Sequence, residues 1–156
     1  MEVVAYSPEY LPALRALYMV TRTSTFTWLD SSGYQIKDFD EHITDDTLYL
    51  AIADGKLLGF IAVYEPDNFI HHLFVAEDSQ GIGVGTRLLT MLSKLNGRPQ
   101  ILKCMVKNEK ALQFYLRKSF VEVGKGTGSV GDYLVLKSKS KSKSKSNRIK
   151  VGRSQP

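Results

Sequence analysis

FIHHLFV (69–75), then QGIGVGT (80–86), then Leu88, Leu89, Leu92 and Leu95 read in succession as a strand, a glycine turn and a helix with one apolar face. Asn96-Gly97 supplies the helix stop. Three glycines in five residues (Gly81, Gly83, Gly85) leave backbone N–H groups uncovered where the helix starts. Unpaired donors and the helix dipole there favour a bound phosphate. Two common phosphate motifs do not fit. A Walker A loop needs a Lys directly after its last glycine, and the next lysine here is Lys94, inside the helix. A dinucleotide fingerprint needs a third glycine where Thr86 stands and an acid about 20 residues on, but residues 79–108 contain no Asp or Glu. Arg87, Lys94, Arg98, Lys103 and Lys107 lie in that span instead, so the region suits a polyanion without a ribose-binding carboxylate.

Upstream, VVAY (3–6) reads as a strand, and Ser7-Pro8 as the cap and first turn of a helix carrying Leu11, Leu14, Leu17 and Tyr18. Residues 23–33 combine turn and β-forming residues, and Ile36, Phe39 and Ile43 suggest a short second helix. TLYLAIA (47–53), LLGFIAVY (57–64) and FIHHLFV are three strands with short connections at Asp54-Gly55 and Pro66-Asp67-Asn68, an antiparallel meander. Downstream come a strand over 101–107, a helix over 108–118 with Asn108 as its N-cap, and a closing strand pair at 120–124 and 132–137. The predicted order is βααβββαβαββ, an α/β (α+β) domain.

The chain has 156 residues, 43% hydrophobic, which suffices for one domain with a core of ordinary size. A single cysteine, Cys104, rules out an internal disulfide, and MEVVAYSPEYL lacks the layout of a secretory signal. A cytoplasmic location is expected. No run approaches the roughly 18 apolar residues of a membrane span, and the histidines and cysteine have no zinc spacing, so neither membrane nor metal is expected. The net charge of +5 divides unevenly: the eight Lys and Arg of residues 137–156 meet no acid, while the rest has thirteen bases against sixteen acids, a net −3. An acidic body gives no electrostatic footprint for nucleic acid. The domain is placed at 1–137. The remainder, 138–156, is a basic Lys-Ser tail expected to be disordered, because it has almost no apolar surface to bury.

QGIGVG, preceded by Leu73-Phe74-Val75, resembles the Gln/Arg-x-x-Gly-x-Gly/Ala pyrophosphate motif of the GNAT acetyltransferases. NEKALQFYLRKSF (108–120) resembles that family's later motif, in which an Asn opens a helix bearing an aromatic-Tyr pair, here Phe114-Tyr115; Ser119 replaces a common Gly. The resemblance covers about residues 1–137. It implies a mixed, mostly antiparallel sheet with helices on both faces, acetyl-CoA as cosubstrate without a metal, an amine acceptor, and a monomer or homodimer. It also implies a cofactor site at Phe74, Val75, Gln80, Gly81, Ile82, Gly83, Val84, Gly85, Thr86 and Asn108.

An amine with a pKa of about 10.4 is neutral in only about one molecule in a few thousand at pH 7, so a base is needed. His71 and His72, with ordinary pKa values of about 6.5, are the candidates; strand alternation sends them to opposite faces unless the strand bulges. His71 ranks first, since similar family members often place a base there; a water relay, or two strand histidines with purely structural hydrogen bonds, stay open as alternatives. Tyr115, a phenol of pKa about 10, is the expected donor to the leaving thiolate. Resemblance assigns the oxyanion to the backbone N–H of Phe74 or Val75. No covalent intermediate is needed, and Cys104 is read as a buried apolar residue. Phe26, Trp28 and Tyr34, with Phe39 and nearby acids Asp30, Asp38, Asp40 and Glu41, are expected either to bind a cationic acceptor or to be core aromatics beside a solvated acidic face. The rival readings are a non-catalytic acyl-CoA sensor of the same fold and a nucleic-acid contact through the tail.

Overall fold

The structure, a computed structural model, describes residues 1–139. Its elements are β1 (Glu2–Ala5), α1 (Leu11–Thr25), α2 (Asp38–His42), β2 (Thr47–Ala53), β3 (Lys56–Tyr64), β4 (Phe69–Val75), α3 (Val84–Asn96), β5 (Ile101–Met105), α4 (Glu109–Arg117), β6 (Val121–Gly128) and β7 (Gly131–Lys137). The order of helices and strands is the predicted one. Seven strands form one sheet in the order β1-β2-β3-β4-β5-β7-β6, antiparallel everywhere except between β4 and β5.

Local chemistry explains the boundaries. Asp54 and Gly55 both have positive φ, 52° and 74°, as the two-residue hairpin between β2 and β3 requires. Gly97 closes α3 in the left-handed region, and the Asn108 side chain caps α4 by accepting from the Ala111 N–H. Two expectations are corrected. Ser7-Pro8 starts a 3-10 turn and not the helix; Pro12 has no N–H to give the carbonyl of residue 8, so α1 begins at Leu11. At the other end α1 runs through Thr25, because the hydroxyls of Thr23 and Ser24 bond back to the carbonyls of Met19 and Val20 and tolerate the helix.

Two cores flank the sheet. On one face Leu14 and Tyr18 of α1 and Phe39 of α2 pack on Leu48, Leu50, Phe60 and Ala62. On the other, Val84, Leu88, Leu89 and Leu92 of α3 and Tyr115 of α4 pack on Ala51, Ile61, Val63, Ile70, Leu102 and Leu136. Phe39, fully buried, holds the short α2 against Tyr18 and Phe60, with ring centroids 5.6 Å away in each case. Phe39→Ala should therefore cost about 3–5 kcal/mol of stability in urea unfolding, a cavity effect.

Ser138, placed by the sequence beyond the domain, exchanges hydrogen bonds with the backbone of Gln100 and extends the β5–β7 pairing by one residue. The remainder of the expected tail, 140–156, lies outside the described residues.

Candidate active site

β4 and β5 are paired only at Phe69–Ile101 and Ile70–Leu102, although both strands continue. Beyond those pairs a cleft of about 620 Å³ opens among α1, the end of β4 and the start of α4. Its walls include Leu17, Val20 and Trp28 on one side, Val75 and Gln80 on the second, and Lys107 to Lys110 on the third. Gln80 ties two walls together: its amide donates to the Val75 carbonyl and its oxygen accepts from Lys110 Nζ at 2.7 Å. Lys110 carries no signal in the sequence beyond lying in the first turn of the helix that Asn108 caps.

The glycine turn stands beside this cleft. Gly81 (φ 81°) and Gly83 (φ 91°) occupy backbone conformations that L side chains avoid, and open space surrounds both. The first helical bond of α3 runs from Arg87 N–H to the Gly83 carbonyl, so the N–H groups of Val84, Gly85 and Thr86 have no helical acceptor. A Cβ on Gly85 would lie 3.1 Å from the Phe114 ring, which makes that glycine the seat of α4 on α3. Ile82 projects outward, 66% exposed. Cofactor fit can be judged from these features: uncovered donors at a helix start, basic Lys107 and Lys110, and a buried Trp28 indole N–H without a partner in the cleft wall. They match a pyrophosphate with a polar, acceptor-rich arm, as in an acyl-CoA. Among the described residues no group of three or more His, Cys, Asp or Glu is placed to hold a metal.

The strand geometry separates Phe74 from Val75. Ala76 N–H donates to the Leu58 carbonyl at 2.8 Å, and the ladder alternation then turns the Phe74 N–H towards β3 as well. The N–H groups of Leu73 and Val75 face the side where β5 has parted.

At the histidines the strand bulges. His72 pairs with Ala62 and Ile70 with Val63, leaving His71 as the extra residue. Opposite facing is thereby lost, and the two rings come within 6.3 Å. Their surroundings differ sharply. His72 lies against Tyr18 and Phe74, and its pKa is pushed down to about 3 by burial first and then by His71, His42 and Arg22. The His71 side chain is 40% exposed, and its Nδ1 lies 2.9 and 3.0 Å from the two carboxylate oxygens of Asp46, whose side chain is almost fully buried. Nothing in the sequence links Asp46 to a histidine 25 residues away.

His72 has a measurable consequence. As pH falls from about 6.5 towards about 3, the unfolded chain protonates this imidazole while the folded chain keeps it neutral, so stability falls. Between pH 7 and pH 5 the parent should lose about 2 kcal/mol more than His72→Gln in urea unfolding.

Tyr115 is buried against Phe114 and Phe120, and its phenol is pushed well above its ordinary range by burial and by the neighbouring Cys104, so it holds its proton at neutral pH. Burial pushes the Cys104 thiol up to about 11, which leaves it un-ionised and a poor nucleophile. Tyr115, His71 and His72 are not among the residues lining the 620 Å³ cleft.

The aromatic-acid cluster is divided by the fold. Trp28 joins the wall of the 620 Å³ cleft, with Phe26 edge-on to it at 5.5 Å. Tyr34 lies 4.2 Å from the guanidinium of Arg22, whose other aromatic neighbour is Tyr18 at 4.5 Å. Asp38 accepts from the Gln35 N–H and from Arg22, and Asp40 takes a two-pronged contact from Arg15 at 2.6 and 3.0 Å. Those two acids already have internal cations, and Phe39 belongs to the core.

Comparison with known proteins agrees with this architecture. A family model described as the acetyltransferase (GNAT) family matches residues 11–120. The chain is 27% identical over 89 residues to the 5-NmdU N-acetyltransferase of Pseudomonas phage PaMx11, covering 54% of this chain and 64% of that protein, less than two thirds of its length. A GCN5-related N-acetyltransferase from Rhodopseudomonas palustris has a similar fold (TM-score 0.71, 21% identity, 88% of this chain and 94% of that one). So do an N-acetyltransferase from Staphylococcus aureus Mu50 (0.73, 17%, 88% and 100%) and the PaiA N-acetyltransferase of Thermoplasma acidophilum solved with coenzyme A (0.70, 19%, 89% and 99%). The family model runs from the first residue of α1 to the residue before β6, through both the glycine turn and the Asn108 helix, and the chain belongs to the acetyltransferase (GNAT) family.

Proposed function

We propose that this protein transfers the acetyl group of acetyl-CoA directly to a primary amine. The observation that carries the reading is the glycine turn at the head of α3, opening beside the cleft where β4 and β5 part. Bound there, acetyl-CoA supplies an activated acetyl thioester. The N–H groups of Val84, Gly85 and Thr86 hold the pyrophosphate, and Val75 N–H is the donor for the developing oxyanion. His71 takes the ammonium proton on Nε2, because its Nδ1 is engaged by Asp46 while His72 is held neutral and only weakly basic. Tyr115 keeps its phenolic proton at neutral pH and is the group to give it to the departing sulfur. Trp28 and Phe26 serve the cofactor side, and the acceptor is assigned to the bulge side of β4, beside His71, Tyr64 and Phe69.

The test is free-thiol release from acetyl-CoA across a panel of amines. Lysine, spermidine, phenylethylamine, an aminoglycoside, a peptide N-terminus and 5-NmdU, the compound in the phage relative's name, span the relevant acceptor classes. Release stimulated by at least one amine supports the proposal. Tight acetyl-CoA binding without stimulated release from any of them favours the sensor reading.

A further inference from the structure

We propose that Asp46 is a positioning residue for the base: by accepting the Nδ1–H of His71 it fixes the imidazole tautomer and orientation in which Nε2 carries the lone pair. The inference rests on the reading of His71 as the base. Asp46 stands immediately before β2, and its side chain is only 1% exposed, although a carboxylate withdrawn from water needs a strong compensating partner. Its hydrogen-bond partner among the described side chains is His71 Nδ1, which lies within 3.0 Å of both carboxylate oxygens. A carboxylate only accepts, so Nδ1 carries a proton, and in the neutral imidazole Nε2 is then the nitrogen with the free lone pair.

The bulge supplies an independent observation. His71 is the residue left out of register between Ile70 and His72, and a bulge re-aims one side chain at the expense of ladder pairing. The re-aimed ring is bracketed by Phe69, with centroids 5.1 Å apart, and by Tyr64, stacked at 6.1 Å. Its titratable neighbours are Asp46, His72 and Tyr64. Of these, Asp46 makes the hydrogen bond, so the carboxylate sets the donor and acceptor ends of the ring. The His71 ring is held by its hydrogen bond to a buried carboxylate 25 residues away and by stacking on Tyr64.

The experiment combines long-range nitrogen–proton NMR of His71 in the full chain with steady-state kinetics, using acetyl-CoA and the fastest amine of the panel. The parent should show the Nδ1–H tautomer, and Asp46→Asn should lose it or mix it with the other form. In that variant kcat should fall about tenfold or more, towards the roughly 10²–10⁴ attributed to a general base, with KM for acetyl-CoA unchanged. A parent His71 protonated on Nε2 overturns the proposal whether or not the variant folds. Parent-like kcat in Asp46→Asn, with His71→Ala slow, overturns the positioning role and leaves His71 as the base. Parent-like kcat in His71→Ala overturns both.

Discussion

Gly83→Asp is expected to weaken acetyl-CoA binding about 100-fold, or roughly 2.7 kcal/mol, in calorimetric titration. Two causes act together. Gly83 precedes α3 with φ 91°, where a Cβ costs about 1–2 kcal/mol of backbone strain. The added carboxylate also places a negative charge where the uncovered N–H groups of Val84, Gly85 and Thr86 await an anion. Gly83→Ala isolates the first cause and should lose stability but much less affinity. Because open space surrounds Gly83, neither change should disturb the core, and far-UV circular dichroism should be unaltered. Unchanged affinity in Gly83→Asp would move the phosphate site elsewhere.

The second large effect separates the two proton-transfer groups. His71→Ala should slow turnover on the order of 10²-fold near neutral pH and recover partly as pH rises, because more of the amine is then neutral without a base. Tyr115→Phe should slow it by a similar factor with no alkaline recovery. The phenol is raised by burial, so over the working range it stays a proton donor, and its loss leaves amine ionisation untouched. The check is a pH–rate profile of each variant with the best amine. Identical profiles for the two would mean that they do not divide the acid and base roles.

Much of this site could be read along the chain because its signals are local. The Asp54-Gly55 hairpin, the Asn108 cap and the Gly81 to Gly85 turn each declare their geometry within a few residues. Other features arise from pairing or packing between distant segments, which periodicity does not carry. The bulge at His71 depends on how β3 and β4 register, so two histidines expected on opposite faces meet at 6.3 Å. Arg15 and Arg22 reach across from α1 to Asp40 and Asp38, turning an apparent cation site into internal ion pairs. Acidic neighbours leave Trp28 open as an acceptor contact or a core aromatic, and the turn after α1 carries it to the wall of the cleft between α1 and α4. Asp46 had no marking at all, being one of three acids or hydroxyls ahead of β2.

Direct acetyl transfer to nitrogen fixes the ratio of N-acetylated amine, measured by mass spectrometry, to coenzyme A released. With the best amine of the panel, one acetylated amine should appear for every thiol freed, and both rates should fall together, on the order of 10²-fold, in Tyr115→Phe. Thiol released without an acetylated amine, or acetyl found on the protein at Cys104 ahead of product, would contradict it.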